Sequence, residues 1–343
     1  MHIPIKNIYY LLSYAWNRLD ERDRVAVDID DKTELLDLFA KILINATKIL
    51  LKRGIDRNYV ERSEHVFGIK GKFEVSQTVK TSSMLSGRTV CTFDNYSENI
   101  LLNQILVSTL WKLVKTKALD SQPKGNIKGL LWKLSGISRI ELTARHFSAV
   151  KLNRNNSFYG FVVDVCKLIF ENTLPSEDEG EWNFSDFTRN EHKMNQLFER
   201  FVFNFYKIEQ EEFRVRRENI KWAFDSLVTD GLKYLPKMET DITLESGKRK
   251  IIIDAKYYRE TMSSYFGGQK IKSANLYQIF SYLINQQTND QITQTATGIL
   301  LYPTIEEEFD LNYSFDDHIV RIKTINLNAS WKEVDLTLRE LVD

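Results

Sequence analysis

Two aspartates and a lysine lie in two adjacent β-rich runs in the second half of the chain. Asp241 lies within METDITL, and Asp254 and Lys256 close the run KIIIDAK. A short Gly-containing turn at 245–248 separates the runs, which predicts a β-hairpin with Asp241 in its first strand. Residues two apart on a strand share a face, so Asp254 and Lys256 are expected side by side.

The run that precedes Asp254 is almost entirely apolar, which is typical of a central strand buried on both faces. Burying an unpaired charge costs free energy, so the charged residues at the end of this run are expected to have a partner or ligand that offsets the cost. Two carboxylates from neighbouring strands can share one Mg²⁺, which polarises a phosphate and lowers the pKa of a bound water. Lys256 would position that water or balance charge in the transition state. The alternative is a cross-strand ion pair on a solvated sheet face, which the apolar run disfavours.

Three further polar residues are candidates for the same site. Gln278 and Tyr282 are four residues apart on a predicted helix, so they share one face and could reach substrate phosphates or position the lysine. An ordinary polar pair at a helix boundary is the alternative. Glu199 interrupts an apolar helix face and could add a carboxylate to the metal site, or it could be a surface residue paired with Arg200 or Arg216.

The first half of the chain predicts helices around a small β element. Asp31 and Glu34 form a capping-box pattern before an apolar helix that Gly54 ends. Helical periodicity also covers 5–19, 97–117, 126–134 and 157–174, while 57–80 alternates like β-strands with bends at Gly68 and Gly71, and 138–152 is predicted to be extended.

An acidic segment without periodicity, 175–188, predicts a boundary between two domains, 1–175 and 189–343. The C-terminal domain is expected to be α/β, with a mixed central sheet flanked by helices, so that the whole chain is α+β or α/β. Its predicted elements are a helix at 190–209, strands at 213–223, 237–245 and 249–256, a helix at 273–286, strands near 296–302 and 318–327, and a helix from about 330.

Composition limits the classes of function. The 47 basic and 47 acidic side chains give zero net charge. If the chain acts on DNA, zero net charge suggests either a local basic groove or a partner that supplies much of the affinity for DNA. No P-loop or dinucleotide motif occurs, so this chain is not expected to bind nucleotide by a P-loop. Cys91 and Cys166 lie among apolar neighbours and are predicted to be buried structural thiols. No membrane span or leader peptide is predicted, and the expected location is cytoplasmic.

Six segments resemble the McrC family, the nuclease subunits of McrBC modification-dependent restriction systems. They follow one another along essentially the whole chain, with one small departure: Thr240 stands where many PD-(D/E)xK nucleases have Pro. The segments are IPIKNIYYLLSYAW (3–16), GIKGKFE (68–74), TFDNYSEN (92–99), DFTRNE (186–191), METDIT (238–243) and IDAKYY (253–258).

The resemblance implies a PD-(D/E)xK endonuclease with Asp241, Asp254 and Lys256 as catalytic residues and Mg²⁺ as cofactor. Gln278 and Tyr282 resemble a motif of RecB-like nucleases. The implied partner is a McrB-like AAA+ GTPase hexamer, which binds GTP and recognises modified cytosine in double-stranded DNA.

The N-terminal domain would be a stalk that enters the ring of this hexamer and stimulates GTP hydrolysis, with the β segment 57–80 and a loop at 81–96 as candidate contacts. Two alternatives remain: a self-sufficient RecB-like nuclease, and a non-cleaving activator of the GTPase.

Overall fold

The computed structural model describes residues 3–25, 33–176, 181–224, 230–258, 263–265, 268–288, 290–304 and 308–343. The chain forms two compact units. We call the first the discontinuous unit, because it combines the chain up to Arg22 with Asp186–Asp343, and the second, mainly Thr33–Ser185, the inserted unit. No helix in the described ranges is both long enough and apolar enough to cross a membrane.

Two helices begin the chain, α1 (Ile5–Ala15) and α2 (Leu19–Arg24). The inserted unit follows, and its core is formed where α3 and α5 pack on α6 and α8. Its elements are α3 (Leu35–Arg53), β1 (Asn58–Phe67), β2 (Lys72–Phe73), α4 (Val75–Lys80), β3 (Arg88–Ser97), α5 (Leu101–Lys115), α6 (Ser121–Lys133), α7 (Ala144–Ser148), α8 (Ser157–Glu171), β4 (Thr173–Pro175) and β5 (Trp182–Phe184).

The predicted β element is a three-stranded antiparallel sheet with the order β1-β3-β2. Gly68 and Gly71 have φ values of +78° and +71°, which confirms both predicted bends. Two predictions here are wrong. Residues 75–80 form helix α4, which is tied to β3 because Thr78 Oγ1 accepts the Val90 N–H at 2.8 Å. Most of the expected loop 81–96 is strand β3, which pairs along the whole of β1.

Two other predictions for the inserted unit are also corrected. Within 138–152, which was expected to be extended, α7 forms because Thr143 and His146 make a reciprocal capping box. Helix α3 begins at Leu35 with Glu34 as its N-cap residue, while Asp31 lies outside the described residues. Cys91 and Cys166 are free and buried, as predicted, and burial raises the pKa of Cys166 to about 12.

The discontinuous unit contains a six-stranded mixed sheet with the order β14-β15-β13-β10-β9-β6, as predicted for this half of the chain. Strands β10, β13 and β15 are parallel, and the other neighbours are antiparallel. Its elements are α9 (Glu191–Glu209), β6 (Arg214–Arg216), β7 (Asn219–Ile220), β8 (Met238–Glu239), β9 (Ile242–Glu245), β10 (Lys250–Ala255), β11 (Ser263–Tyr265), β12 (Gly268–Lys270), α10 (Ser273–Asn285), α11 (Gln291–Gln294), β13 (Thr297–Thr304), β14 (Asp310–Phe315), β15 (His318–Asn326) and α12 (Trp331–Glu340).

Helix α10 packs directly on the central strands. Ile279 and Leu283 join Ile252 and Leu300 in one buried apolar cluster. Gly298 on β13 permits this contact, since a Cβ there would lie 2.7 Å from Ile279 Cγ1. The close approach fixes the helix that carries Gln278 and Tyr282.

Helix α1 belongs to the discontinuous unit, although its sequence position predicts it in the domain 1–175. The Tyr14 ring contacts Phe201 and Phe205 of α9 at centroid distances of 5.7 and 5.5 Å. Tyr10 stacks on Trp331 at 4.4 Å. On the C-terminal side, the division between the two units follows Ser185.

Candidate active site

The hairpin of β9 and β10 brings the two predicted carboxylates together. Ile253 pairs with Ile242, so the next facing positions are Asp254 and Asp241. Asp241 immediately precedes β9 rather than lying within a strand, because the predicted strand 237–245 is divided into β8 and β9. Lys256 follows β10, and its backbone N–H donates to the Leu301 carbonyl at 3.0 Å.

Lys256 Nζ lies between the two carboxylates. It donates to Asp254 Oδ1 at 2.8 Å and to Asp241 Oδ2 at 3.3 Å. Asp241 Oδ2 also accepts the backbone N–H of Ala255 at 3.2 Å. Burial alone would lower the pKa of Lys256, but the charges and hydrogen bonds of both aspartates raise it, so the side chain stays cationic.

Asp254 is fully buried in β10, every residue of which is buried, as predicted for a central strand. Burial raises the pKa of Asp254 to about 7; the Lys256 charge lowers it and the Asp241 charge raises it. Asp254 Oδ2 is buried and has no hydrogen-bond partner in the described structure. An unsatisfied buried carboxylate oxygen is costly and therefore points to a ligand.

Thr240, where many PD-(D/E)xK nucleases have Pro, fixes the segment before Asp241. Its Oγ1 accepts the Glu218 N–H at 2.9 Å and lies 2.9 Å from Thr243 Oγ1. Its own N–H donates to the Glu218 carbonyl at 2.9 Å. A buried threonine thus ties Asp241 to the chain beside β7.

Gln278 and Tyr282 share one face of α10, as predicted. Gln278 Nε2 donates to the Tyr282 hydroxyl at 2.8 Å, and that hydroxyl donates to the Glu239 carbonyl at 2.8 Å. Burial raises the pKa of Tyr282, and the charges of Asp254 and Asp241 raise it further. The pair therefore braces the strand before Asp241, and its hydrogen bonds go to β8 rather than to Lys256.

Glu199 lies on α9 and is paired with Arg217, at 2.5 Å, rather than with Arg200 or Arg216. Burial raises the pKa of Glu199, and the Asp241 charge raises it further. Glu199 thus lies within electrostatic range of the hairpin, and its role as a metal ligand stays a prediction.

Three residues around the hairpin were not singled out by the sequence. Asn195 Oδ1 accepts the backbone N–H of Tyr257 at 2.7 Å, and Asn275 Nδ2 donates to the Tyr302 hydroxyl at 2.9 Å. Asn195 precedes Glu199 by four residues on α9, so the two side chains share one helix face. This spacing is a sequence signal that could have identified Asn195 as a neighbour of the site. Asn275 and Tyr302 meet across the fold, so local sequence carries no sign of their contact.

The donor set suits a hard cation such as Mg²⁺. Asp241 and Asp254 offer carboxylate oxygens, one of them buried and unpartnered. Among the described residues, no three His, Cys, Asp or Glu side chains form a group that could hold a metal, so the protein offers a carboxylate pair rather than a closed cage. Mg²⁺ ordinarily binds to one or two carboxylates and keeps several waters, so the pair fits such an ion.

Comparison with known proteins gives matches over nearly the whole chain. A family model described as McrBC 5-methylcytosine restriction system component matches residues 6–303. The "Type IV methyl-directed restriction enzyme EcoKMcrBC" of Escherichia coli (strain K12) is 35% identical over 341 residues, which are 99% of this chain and 97% of that protein.

The fold matches a chain in a solved half-complex from a tetradecameric assembly of Thermococcus gammatolerans McrB AAA+ hexamers with bound McrC. The TM-score is 0.59 at 17% identity, over 99% of this chain and 75% of that one, which shows a common fold. The sequence and family matches confirm the resemblance carried by the six segments. The chain belongs to the McrBC 5-methylcytosine restriction system component family.

Proposed function

We propose that this chain is the DNA-cleaving subunit of a McrBC-type restriction system and hydrolyses phosphodiester bonds with Mg²⁺. The observation that carries the proposal is the convergence of Asp254, Asp241 and Lys256 within hydrogen-bond distance at the end of a buried strand. A solvated cross-strand ion pair does not account for a fully buried carboxylate with one unpartnered oxygen.

Asp241 and Asp254 would hold the ion. Glu199 would become a third carboxylate ligand only if it left Arg217, because the three side chains do not form a metal-binding group in the described structure. When bound, Mg²⁺ supplies Lewis-acid polarisation of the scissile phosphate and a water of lowered pKa. Lys256 keeps its charge in the site, where it offsets the negative charge that develops on the phosphate. The Gln278–Tyr282 pair holds the strand that leads into Asp241.

The proposed partner is a McrB-like AAA+ GTPase hexamer, by analogy with the Thermococcus complex, and the proposed substrate is double-stranded DNA that contains modified cytosine. This chain has zero net charge, so a partner that supplies much of the affinity for DNA is consistent with its composition. In this proposal GTP is bound by the partner.

We propose that the partner-binding part is the predicted domain 1–175 apart from the chain up to Arg22, with contacts concentrated at one end of the three-stranded sheet. The tip surface, defined by Phe67, Ile69, Met84 and Leu85, combines the end of β1 and the turn after it with the turn before β3. All four side chains are exposed, Leu85 to 92%. Large apolar side chains clustered in solvent are a typical protein-interaction surface.

Replacing Leu85 by Asp is expected to lower stimulation of the partner's GTP hydrolysis at least about tenfold, because a buried apolar contact would become an unpaired charge. The free energy of unfolding should not change, since the side chain contacts solvent. GTP turnover at saturating partner concentration is the measurement. Leu174→Asp, an exposed leucine on β4, is the matched control and should stimulate normally. If Leu85→Asp stimulates GTP hydrolysis as well as Leu174→Asp does, the tip surface is not part of the interface.

Omission of single components tests the function itself. Cleavage of cytosine-methylated plasmid is expected only when this chain, the GTPase partner, GTP and Mg²⁺ are all present. Equal cleavage by this chain with Mg²⁺ alone would instead indicate a self-sufficient RecB-like nuclease. Stimulated GTP hydrolysis with intact DNA under every condition would indicate a non-cleaving activator.

A further inference from the structure

Lys272 is a cation beside the hairpin for which the structure gives no acidic partner among the described residues. Its Nζ lies 3.1 Å from the centroid of the Tyr258 ring. Several other cations of the discontinuous unit are paired with carboxylates, for example Lys250 with Glu218 at 2.9 Å. A lysine held on an aromatic face keeps its whole charge available to a ligand.

A chain of buried contacts fixes where this charge is held. The Tyr258 hydroxyl donates to Asn275 Oδ1 at 3.3 Å, and Asn275 Nδ2 donates to the Tyr302 hydroxyl at 2.9 Å. The Tyr258 and Tyr302 rings lie 6.2 Å apart. Lys272 is the N-cap residue of α10, and its carbonyl accepts the Asn275 N–H at 3.0 Å. These contacts therefore link Lys272 to Tyr302 of β13.

The supporting chain ends beside the catalytic strand. Tyr302 follows Leu301, the residue that accepts the Lys256 N–H. Burial raises the pKa of Tyr302 to about 12, and the Asp254 charge contributes in the same direction. Tyr258 is itself two residues after Lys256, so the Lys272 ammonium is held next to the end of the catalytic hairpin.

We propose that Lys272 binds a backbone phosphate of the DNA next to the scissile one, and that Tyr258, Asn275 and Tyr302 position it. The inference rests on the proposed nuclease function. The ligand is the phosphodiester backbone and not a base, because an ammonium group contributes charge without directional readout. Lys272 is thus a substrate-binding residue in addition to the Asp241, Asp254 and Lys256 set.

Kinetics of the assembled complex with its GTPase partner, GTP, Mg²⁺ and methylated DNA provide the first test. Lys272→Gln is expected to raise KM for DNA about tenfold with little change in kcat, and to lower the slope of log KM against log salt by about one. Lys272→Arg should restore both. Lys248→Gln, in the turn at the opposite end of β10, is the matched control and should resemble wild type.

Binding of a labelled duplex in an Asp254→Ala background gives a second readout that does not depend on cleavage. Weaker binding and a reduced salt slope for Lys272→Gln, with unchanged thermal stability, support the inference. Unchanged affinity and slope overturn it, as does a loss that Lys272→Arg does not restore, because that result indicates a purely structural role. Absence of cleavage by wild type would contradict the proposed function, while the binding readout would still decide the role of Lys272.

Discussion

Replacing Lys256 by Ala is expected to lower DNA cleavage by the complex about 10²–10³-fold, the usual cost of removing one charged group that stabilises a transition state. The same change removes the cation that Asp254 Oδ1 contacts at 2.8 Å. Because the Lys256 charge lowers the pKa of Asp254, that carboxyl should also become harder to ionise in the variant. Initial rates of plasmid cleavage across pH 7–9 measure both effects, since part of the activity should return as pH rises.

Lys256→Arg tests whether a positive charge is sufficient for cleavage or whether the size and shape of the ammonium group are also required. Its guanidinium is planar and larger than the ammonium that fits between the two aspartates, so we expect only partial recovery of cleavage. Lys248→Ala, in the turn of the same hairpin, is the control for general effects on the hairpin. Cleavage at the wild-type rate by Lys256→Ala would exclude the lysine from the chemistry.

Replacing Asp254 by Asn is expected to stabilise the metal-free protein at pH 8 by on the order of 4 kcal/mol. Burial raises the pKa of Asp254 to about 7, whereas an unfolded aspartate titrates near 3.9. The folded state therefore binds this proton more tightly. The resulting stability is fully present below about pH 4 and is lost as pH rises to about 7.

Asn carries no such proton, so the advantage of the variant should grow between about pH 4 and about pH 7 and level off above that. Thermal unfolding in EDTA across this range measures the difference between the two proteins. Added Mg²⁺ should raise the Tm of wild type at pH 8 and leave that of Asp254→Asn unchanged, because a ligand stabilises only the state that binds it. A pH-independent difference, or an equal response to Mg²⁺, would show that Asp254 is neither the titrating group nor a metal ligand.

The elements that carry the site follow from local signals in the sequence. A Gly-containing turn between two β-rich runs is enough to predict the hairpin, and the apolar run before Asp254 predicts a buried central strand. The helical period after the hairpin predicts α10, which begins at Ser273 as expected. These signals predict the elements because turn preferences and hydrophobic periodicity depend on residues that are close together in the sequence.

Where prediction fails, contacts distant in sequence decide the structure. The expected strand 213–223 is divided into β6 and β7, and Thr240 fixes the chain between them by exchanging hydrogen bonds with Glu218. Helix α1 packs on α9, which lies far from it in the sequence. The apolar pattern within α1 does not predict which helix it contacts. Strand β14 was missed although Leu311, Tyr313 and Phe315 alternate along it, so its signal was present.

Within the site, the charged residues could be predicted and their supports could not. Asp254 and Lys256 stand out because charge at the end of an apolar strand is unusual. Asn275 and Tyr302 are ordinary residues in their own segments, and their role depends on a contact between α10 and β13. Position in the fold, rather than residue type, gives them the supporting role that we propose.

One comparison tests the central claim most directly. Wild type and Asp254→Ala are each mixed with the cognate GTPase, GTP, Mg²⁺ and cytosine-methylated plasmid, and DNA cleavage and GTP hydrolysis are followed in the same reaction. We expect wild type to cut the plasmid and the variant to leave it intact, while both accelerate GTP hydrolysis equally. Cleavage by the variant at the wild-type rate would mean that the buried carboxylate is structural and that the active site lies elsewhere.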